Sequence, residues 1–381
     1  MIGRRDPGAY EPCWCRSGNR FRDCPAQRHR RPRVTRAQFL RDFEESASLE
    51  TCLHPEAPIG CSAKVIHAHT VQRMGGGLRA IAEKGEVYGF KGHPSFFQKN
   101  DLRVVPERIG TRNASTFRGF CEGHDGPLFK AVEDANFEPT QEQLALLNFR
   151  VVARRAFVRQ VALRQVKKMF EYDGGLPADV QREWFAINYR DLVNAEASLA
   201  NICALKSLYD GAVMRSEHAD SNGFVACFTG PPEFMSADLV PVDYDFDGAS
   251  LSHPPPPAHL CAYTVAVPEG WVFVLSWRGR NVEAEQIAKS LEVRSHEEKA
   301  ASIFRYCLEY TDNLFFAPRW WDGAGEEHRN AVVNVLTRRM HPHYLRDRDF
   351  LKQTGLVPMT SKFKESRRIG EWRNAAETKK G

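Results

Sequence analysis

The residues best suited to chemistry in this 381-residue chain are its cysteines and histidines, and they crowd toward one end. Six of the ten cysteines, Cys13, Cys15, Cys24, Cys52, Cys61 and Cys121, fall within the first 121 residues, accompanied by His29, His54, His67, His69 and, just beyond, His124. The opening stretch MIGRRDPGAYEPCWC has no apolar run of the kind an export signal carries, so a reducing, cytoplasmic setting is expected. Clustered Cys and His in such a setting read as metal ligands rather than as a disulfide framework. The donors are those that Zn²⁺ favours, thiolate sulfur and imidazole nitrogen in a tetrahedron. Cys203, Cys227, Cys261 and Cys307 stand singly in apolar runs and read as small buried hydrophobes.

The first cluster runs Pro12-Cys13-Trp14-Cys15-Arg16-Ser17-Gly18-Asn19-Arg20-Phe21-Arg22-Asp23-Cys24. A Cys-x-Cys pair, a Ser-Gly turn and a third Cys make a compact knuckle with three thiolates, and His29 is the candidate fourth ligand. The segment resembles the SEC-C zinc motif, a small module carried by many unrelated proteins. That family usually has its fourth ligand directly after the third Cys, where this chain has Pro25. The resemblance implies structural zinc and a surface for a protein partner, not a reaction.

The second cluster spans residues 51–130. It holds Cys52 and Cys61, then Lys64-Val65-Ile66-His67-Ala68-His69, then Asn113, then Cys121-Glu122-Gly123-His124-Asp125. On a strand, His67 and His69 share a face with Ala68 opposite. The order of these pieces resembles the ββα-metal, or HNH, endonucleases and their treble-clef relatives. The resemblance implies that Cys52, Cys61, Cys121 and His124 hold a structural zinc, with His54 a competing ligand in the first knuckle. It further implies His69 as general base, His67 and Asp125 as ligands of a catalytic Mg²⁺ or Mn²⁺, and Asn113 as the group whose side-chain carbonyl orients His69. The residue types suit phosphodiester hydrolysis, which needs a base that is neutral near pH 7, a divalent ion at the phosphate and a second group to fix the imidazole. The spacing departs from a minimal motif, since Ala68 intervenes between the histidines and 43 residues separate His69 from Asn113. An insertion is therefore expected, with a helix at 77–84 and a hairpin within 85–112. Gly75-Gly76-Gly77 lacks the following Lys-Ser/Thr of a phosphate loop and reads as a turn that brings backbone close to a ligand.

These residues need elements to hold them. A helix follows the second cluster at 127–138. Another starts at Thr140, with Gln143 completing a capping box, and ends at Gly174-Gly175; a third spans about 178–216, making a helical hairpin. Arg154, Arg155, Arg159, Arg164, Lys167 and Lys168 ride on the first long helix, as a face for nucleic acid or as partners for the acidic middle of the chain. Strands are expected at Gly223–Thr229, Val240–Phe246, His259–Val267 and Trp271–Trp277, with a polyproline turn at Pro254–Pro257 and helices at 282–310 and 324–340. The fold class is thus α+β: an N-terminal zinc knuckle, a treble-clef zinc domain, a helical hairpin and a small antiparallel sheet with C-terminal helices. Boundaries are expected at 1–36, 37–139, 140–217, 218–345 and 346–381, the last a basic polar tail.

Charge is uneven. Residues 1–36 and 331–381 each carry +7, which leaves −9 for the body of a chain whose total is +5. Nucleic acid is therefore the expected partner at the ends. No run of about 20 apolar residues is present, so no membrane association is expected. Two functions fit: a zinc-containing HNH-type hydrolase that cleaves DNA, which by resemblance would suit defence against foreign DNA, or a non-catalytic zinc protein that binds nucleic acid or acts as an adaptor.

Overall fold

In the computed structural model, residues 8–74, 76–90, 92–251, 259–341, 344–353, 355–356, 358–370 and 372 are described. Gly75, Pro254–Pro257 and the end of the expected tail lie outside them. The chain is mixed α and β, with 45% helix and 20% strand. In chain order the elements are helices α1 (Pro25–His29) and α2 (Arg36–Ala47), strands β1 (Val65–His69) and β2 (Glu86–Gly89), α3 (Pro94–Lys99), β3 (Glu107–Gly110), β4 (Thr116–Cys121) and α4 (Glu122–Glu133). The long helices α5 (Gln141–Met169) and α6 (Ala178–Met214) follow, then β5 (Ser221–Thr229), β6 (Phe234–Pro241), β7 (His259–Val267), β8 (Gly270–Arg278), α7 (Val282–Glu292), α8 (His296–Tyr310), β9 (Leu314–Phe316), α9 (Pro318–Gly323), α10 (Glu326–Arg339) and β10 (Lys362–Ile369). Among the described residues no helix is long and apolar enough to cross a membrane.

Two compact units result, one from Met1–Glu50 with Ala156–Ala204, the other from Thr51–Arg155 with Leu205–Gly381. In the first, Trp14 meets Phe185 edge to face at 5.5 Å, and Arg28 pairs with the buried Asp173 at 2.8 Å. Thr35 caps α2, its hydroxyl accepting the Gln38 N–H at 3.1 Å.

The second unit is built on an eight-stranded antiparallel sheet in the order β10-β5-β8-β7-β6-β9-β2-β3. It is larger than the four-stranded sheet expected, because distant segments join it. The hairpin in 85–112 forms as β2 and β3, with Glu86 opposite Gly110, and docks on β9 through Tyr88 and Phe316. The segment expected as a basic tail supplies β10, whose alternating Lys, Arg and Glu suit an edge strand facing water. The expected strand 240–246 runs instead from Phe234 to Pro241. One sheet face carries Phe224, Phe228, Trp271, Phe273 and Trp277, buried with Ile287, Ile303 and Phe304 of α7 and α8. Trp271, Trp277 and Phe273 are thus core, as is Trp321, stacked on Phe316 at 5.2 Å.

The other face receives the first half of α5. Asn148 Nδ2 donates to Ser276 Oγ at 2.8 Å, and Arg155 Nη2 donates to the Leu239 carbonyl at 3.0 Å. Arg154 and Arg155 sit by the buried Asp238, and Arg155 also reaches Asp312 at 3.3 Å. Those two arginines therefore serve the acidic body of the chain rather than a nucleic-acid face. Thr140 caps α5 by accepting the Gln143 N–H at 3.2 Å, but the Gln143 side chain accepts from the Glu138 N–H at 2.9 Å instead of closing the box on Thr140. Cys261 and Cys307 are buried as expected, whereas Cys203 is exposed.

Candidate metal centre and cleft

The second unit contains a separate two-stranded sheet, β1 against β4, which leads directly into α4. The pairing is irregular: Ile66 faces Phe120 and Ala68 faces Phe117, so Arg118 and Gly119 together stand opposite His67. This places one extra residue on β4 beside His67, a bulge of the kind that re-aims side chains. Helix α5 holds the pair from behind, with Phe149 packed on Phe120 and Phe129 at 6.0 and 6.2 Å between ring centroids.

Cys52, Cys61, Cys121 and His124 converge at one end of this hairpin. Cys52 arrives because the Thr51 and Leu53 N–H groups donate to the Arg118 and Gly119 carbonyls of β4, at 3.1 and 2.8 Å. Cys61 arrives on a tight turn through Gly60, whose φ of +72° would strain any other residue and where an added Cβ would press to 3.2 Å from His124 Nε2. Cys121 ends β4, and His124 lies one turn into α4. His124 Nδ1 stands 3.4 Å from Cys52 Sγ, 3.6 Å from Cys61 Sγ and 3.4 Å from Cys121 Sγ. A tetrahedral ion about 2.3 Å from sulfur and about 2.0 Å from nitrogen separates those donors by about 3.5 Å. The four side chains thus fit zinc through His124 Nδ1. His54 does not complete the set: its ring stacks on His124, 4.0 Å away and 5° from parallel, and its Nδ1 accepts the Glu56 N–H at 3.2 Å. Burial opposes ionisation of Cys121, but the Ser62 backbone and hydroxyl and the His124 N–H draw its thiol down to about 6.

In the first unit Cys13, Cys15 and Cys24 form a second cluster able to hold a metal, with Cys15 and Cys24 sulfurs 3.4 Å apart. His29 is not part of it. Its Nδ1 lies 3.0 Å from the Leu176 carbonyl, because α1 directs the ring toward the turn that follows Asp173. Ser17 Oγ lies beside the thiols instead, 3.2 Å from Cys15 and 3.4 Å from Cys24.

The residues expected to be catalytic divide. His67, His69 and Asp125 line one cleft of about 570 Å³, with Ile66, Ala68, Gln72, Arg73, Met74 and Glu133. His67 is exposed at the bulge and Ala68 is buried. His69 is half-buried, and its Nε2 lies 3.1 Å from the Thr111 carbonyl. A carbonyl only accepts, so Nε2 carries the proton and the Nδ1 lone pair is left free. Burial pushes the His69 imidazolium below its usual range, keeping the ring neutral. Asp125, 8% exposed, has an Oδ1 with no hydrogen-bond partner, and burial raises its carboxyl. Among the described residues these three groups do not close to mutual ligating distance.

Asn113 is elsewhere. It is exposed in the turn between β3 and β4, its N–H donating to the Gly110 carbonyl and its own carbonyl accepting from Thr116 Oγ1, both at 2.9 Å. The oxygen on His69 is main chain, from Thr111 two residues earlier. Ser115, at φ +59°, holds that turn as an acceptor, its carbonyl taking the Thr70 N–H and its hydroxyl oxygen the Val71 N–H and Asn313 Nδ2. No residue type announces a backbone acceptor, so Thr111 left no mark in the sequence. Glu133 and Arg150 were also missed. They form a 2.5 Å ion pair beside the cleft, and the Arg150 guanidinium lies 3.8 Å from the centre of the Phe129 ring.

Gly76 and Gly77 do approach backbone, but that of the protein itself: the Ala266 N–H donates to the Gly76 carbonyl at 2.7 Å, and a Cβ on Gly77 would meet the Gln72 oxygen at 1.6 Å.

No family model matches this chain, and no curated protein or solved structure matches it significantly.

Proposed function

We propose that this protein is a metal-dependent endonuclease of HNH type acting on DNA. The observation that carries the reading is the shared cleft: one strand–strand–helix unit, framed as in a treble clef, sets His67, His69 and Asp125 around a single opening beside a separate four-donor zinc site. His67 and Asp125 would hold Mg²⁺ or Mn²⁺, which supplies charge at the phosphate. An imidazole and one orphaned carboxylate oxygen suit such an ion, since Mg²⁺ keeps several waters and needs few protein ligands. His69 accepts a proton from water at Nδ1, and the Thr111 carbonyl holds its Nε2–H so that the ring cannot turn or change tautomer. The zinc site fixes β4 to α4 and takes no part in proton transfer. The SEC-C-like knuckle adds an interaction surface, and a defensive role against foreign DNA would suit the combination.

The test is plasmid nicking with Mg²⁺ or Mn²⁺, compared between the wild type and His69→Ala at matched zinc content. Metal-dependent nicking that His69→Ala abolishes supports the proposal. A wild type that fails to nick whichever divalent metal is supplied, yet binds DNA with a steep salt dependence, leaves a non-catalytic zinc protein as the function.

A further inference from the structure

We infer that Arg73 binds the phosphate on which His69 acts. The inference rests on the proposed function and names the residue that would grip the substrate there. The cleft holds two carboxylates, Asp125 and Glu133, which repel a phosphodiester unless compensated. Glu133 is compensated by Arg150 at 2.5 Å, and Arg150 is itself buried beneath the cleft, out of reach of a ligand. Asp125 would be compensated by the divalent ion that it and His67 would hold. Arg73 is the remaining cation in the lining, four residues beyond His69 and close enough to act on its charge.

Among the described residues Arg73 Nε is buried without a hydrogen-bond acceptor, although two carboxylates line the same cleft. A half-buried guanidinium with an unsatisfied donor costs stability, and an anion with several acceptor oxygens would satisfy it. Guanidinium geometry favours the paired oxygens of a phosphate over a single carboxylate oxygen. The main chain fixes where it stands, because the Arg73 carbonyl accepts the Arg79 N–H at 3.2 Å and the Gln72 side chain donates to the Val132 carbonyl at 2.7 Å.

The experiment pairs cleavage with binding, using Arg73→Ala, Arg73→Gln and Arg73→Lys, each checked for wild-type zinc content and urea unfolding. Fluorescence anisotropy of a labelled DNA duplex, measured without divalent metal over a salt series, reports phosphate contacts. Loss of one contact lowers the slope of log K against log salt by about 0.9. The expected result is that slope change in Arg73→Ala and Arg73→Gln, retention of the slope in Arg73→Lys, and cleavage slowed roughly 10²-fold in the two neutral variants, with the acid limb of their pH profile moved upward because Arg73 no longer opposes protonation of His69. Cleavage within threefold of wild type together with an unchanged slope overturns the inference, as does a wild type that binds no DNA. If the wild type binds but does not cleave and the slope still depends on Arg73, the nuclease reading fails and the phosphate contact stands.

Discussion

The Arg150–Glu133 pair predicts an asymmetry between its two halves. Arg150 is 1% exposed and Glu133 is 41% exposed, so the cation cannot reach water while the carboxylate can. Arg150 Nε and Nη1 already lack partners, and Glu133 supplies the acceptor for Nη2. Glu133→Ala therefore leaves a buried guanidinium without its ion-pair partner, with only the Phe129 ring and the more distant Asp125 carboxyl to offset its charge, and should cost about 3–5 kcal/mol. Arg150→Met removes the buried charge and fills similar space; Glu133 can hydrate, and the loss is the cation–π contact, about 1–2 kcal/mol. The double variant should match Arg150→Met within about 0.5 kcal/mol, giving a coupling energy of at least about 2 kcal/mol. Urea unfolding of the four proteins, followed by far-ultraviolet circular dichroism and by fluorescence, measures each value. A Glu133→Ala variant that loses under about 1 kcal/mol, or an Arg150→Met variant that is the worse of the two, refutes the reasoning.

Other outcomes follow from the same geometry. Zinc absorption spectra should show three sulfurs and one nitrogen at the Cys52 site, and His124→Cys should keep the metal where His124→Ala loses it. Asn113→Ala should leave DNA cleavage within about threefold of wild type, since its side chain is exposed in a turn; a drop like that of His69→Ala, roughly 10²-fold or more, would restore it to the site. Gly77→Ala should destabilise the second unit by several kcal/mol in urea, because its Cβ would overlap the Gln72 carbonyl. Asp238→Ala should cost about 3–5 kcal/mol, leaving the half-buried Arg154 and the buried Arg155 without their shared carboxylate, and a similar loss in the neutral isostere Asp238→Asn would show that charge is the cause.

Local signals were readable. The Thr140 cap, the glycines after Asp173 and the aromatic strands around Pro268-Glu269-Gly270 each rest on a few adjacent residues, and each lies where expected. Non-local pairings were not. Nothing in Glu86–Gly89 says that its neighbour is Phe316, and the charged alternation of Lys362–Ile369 reads equally as a solvated tail until an open sheet edge is known. The four residues that could hold a metal, Cys52, Cys61, Cys121 and His124, were visible because their spacing follows the turns that carry them. His29 was misread because its true partner, the Leu176 carbonyl, is a backbone atom 147 positions away. Cys203 was misread because an apolar neighbourhood in sequence wraps around a helix and need not be an apolar neighbourhood in space.

The insertion between β1 and β4 also sets an order of assembly. Closing that hairpin brings together residues about 46 apart, which costs roughly 3 kcal/mol more loop entropy than a two-residue turn. The insertion recovers this by docking β2 on β9 and by the bond from Asn313 Nδ2 to Ser115 Oγ, so the partners that make closure worthwhile lie near residue 315. A chain leaving the ribosome would display His67 and His69 long before those partners emerge. The cleft is lined by residues 66–133, yet the contacts that close its insertion reach to about residue 315, so the pocket depends on pairing across nearly two hundred positions of chain.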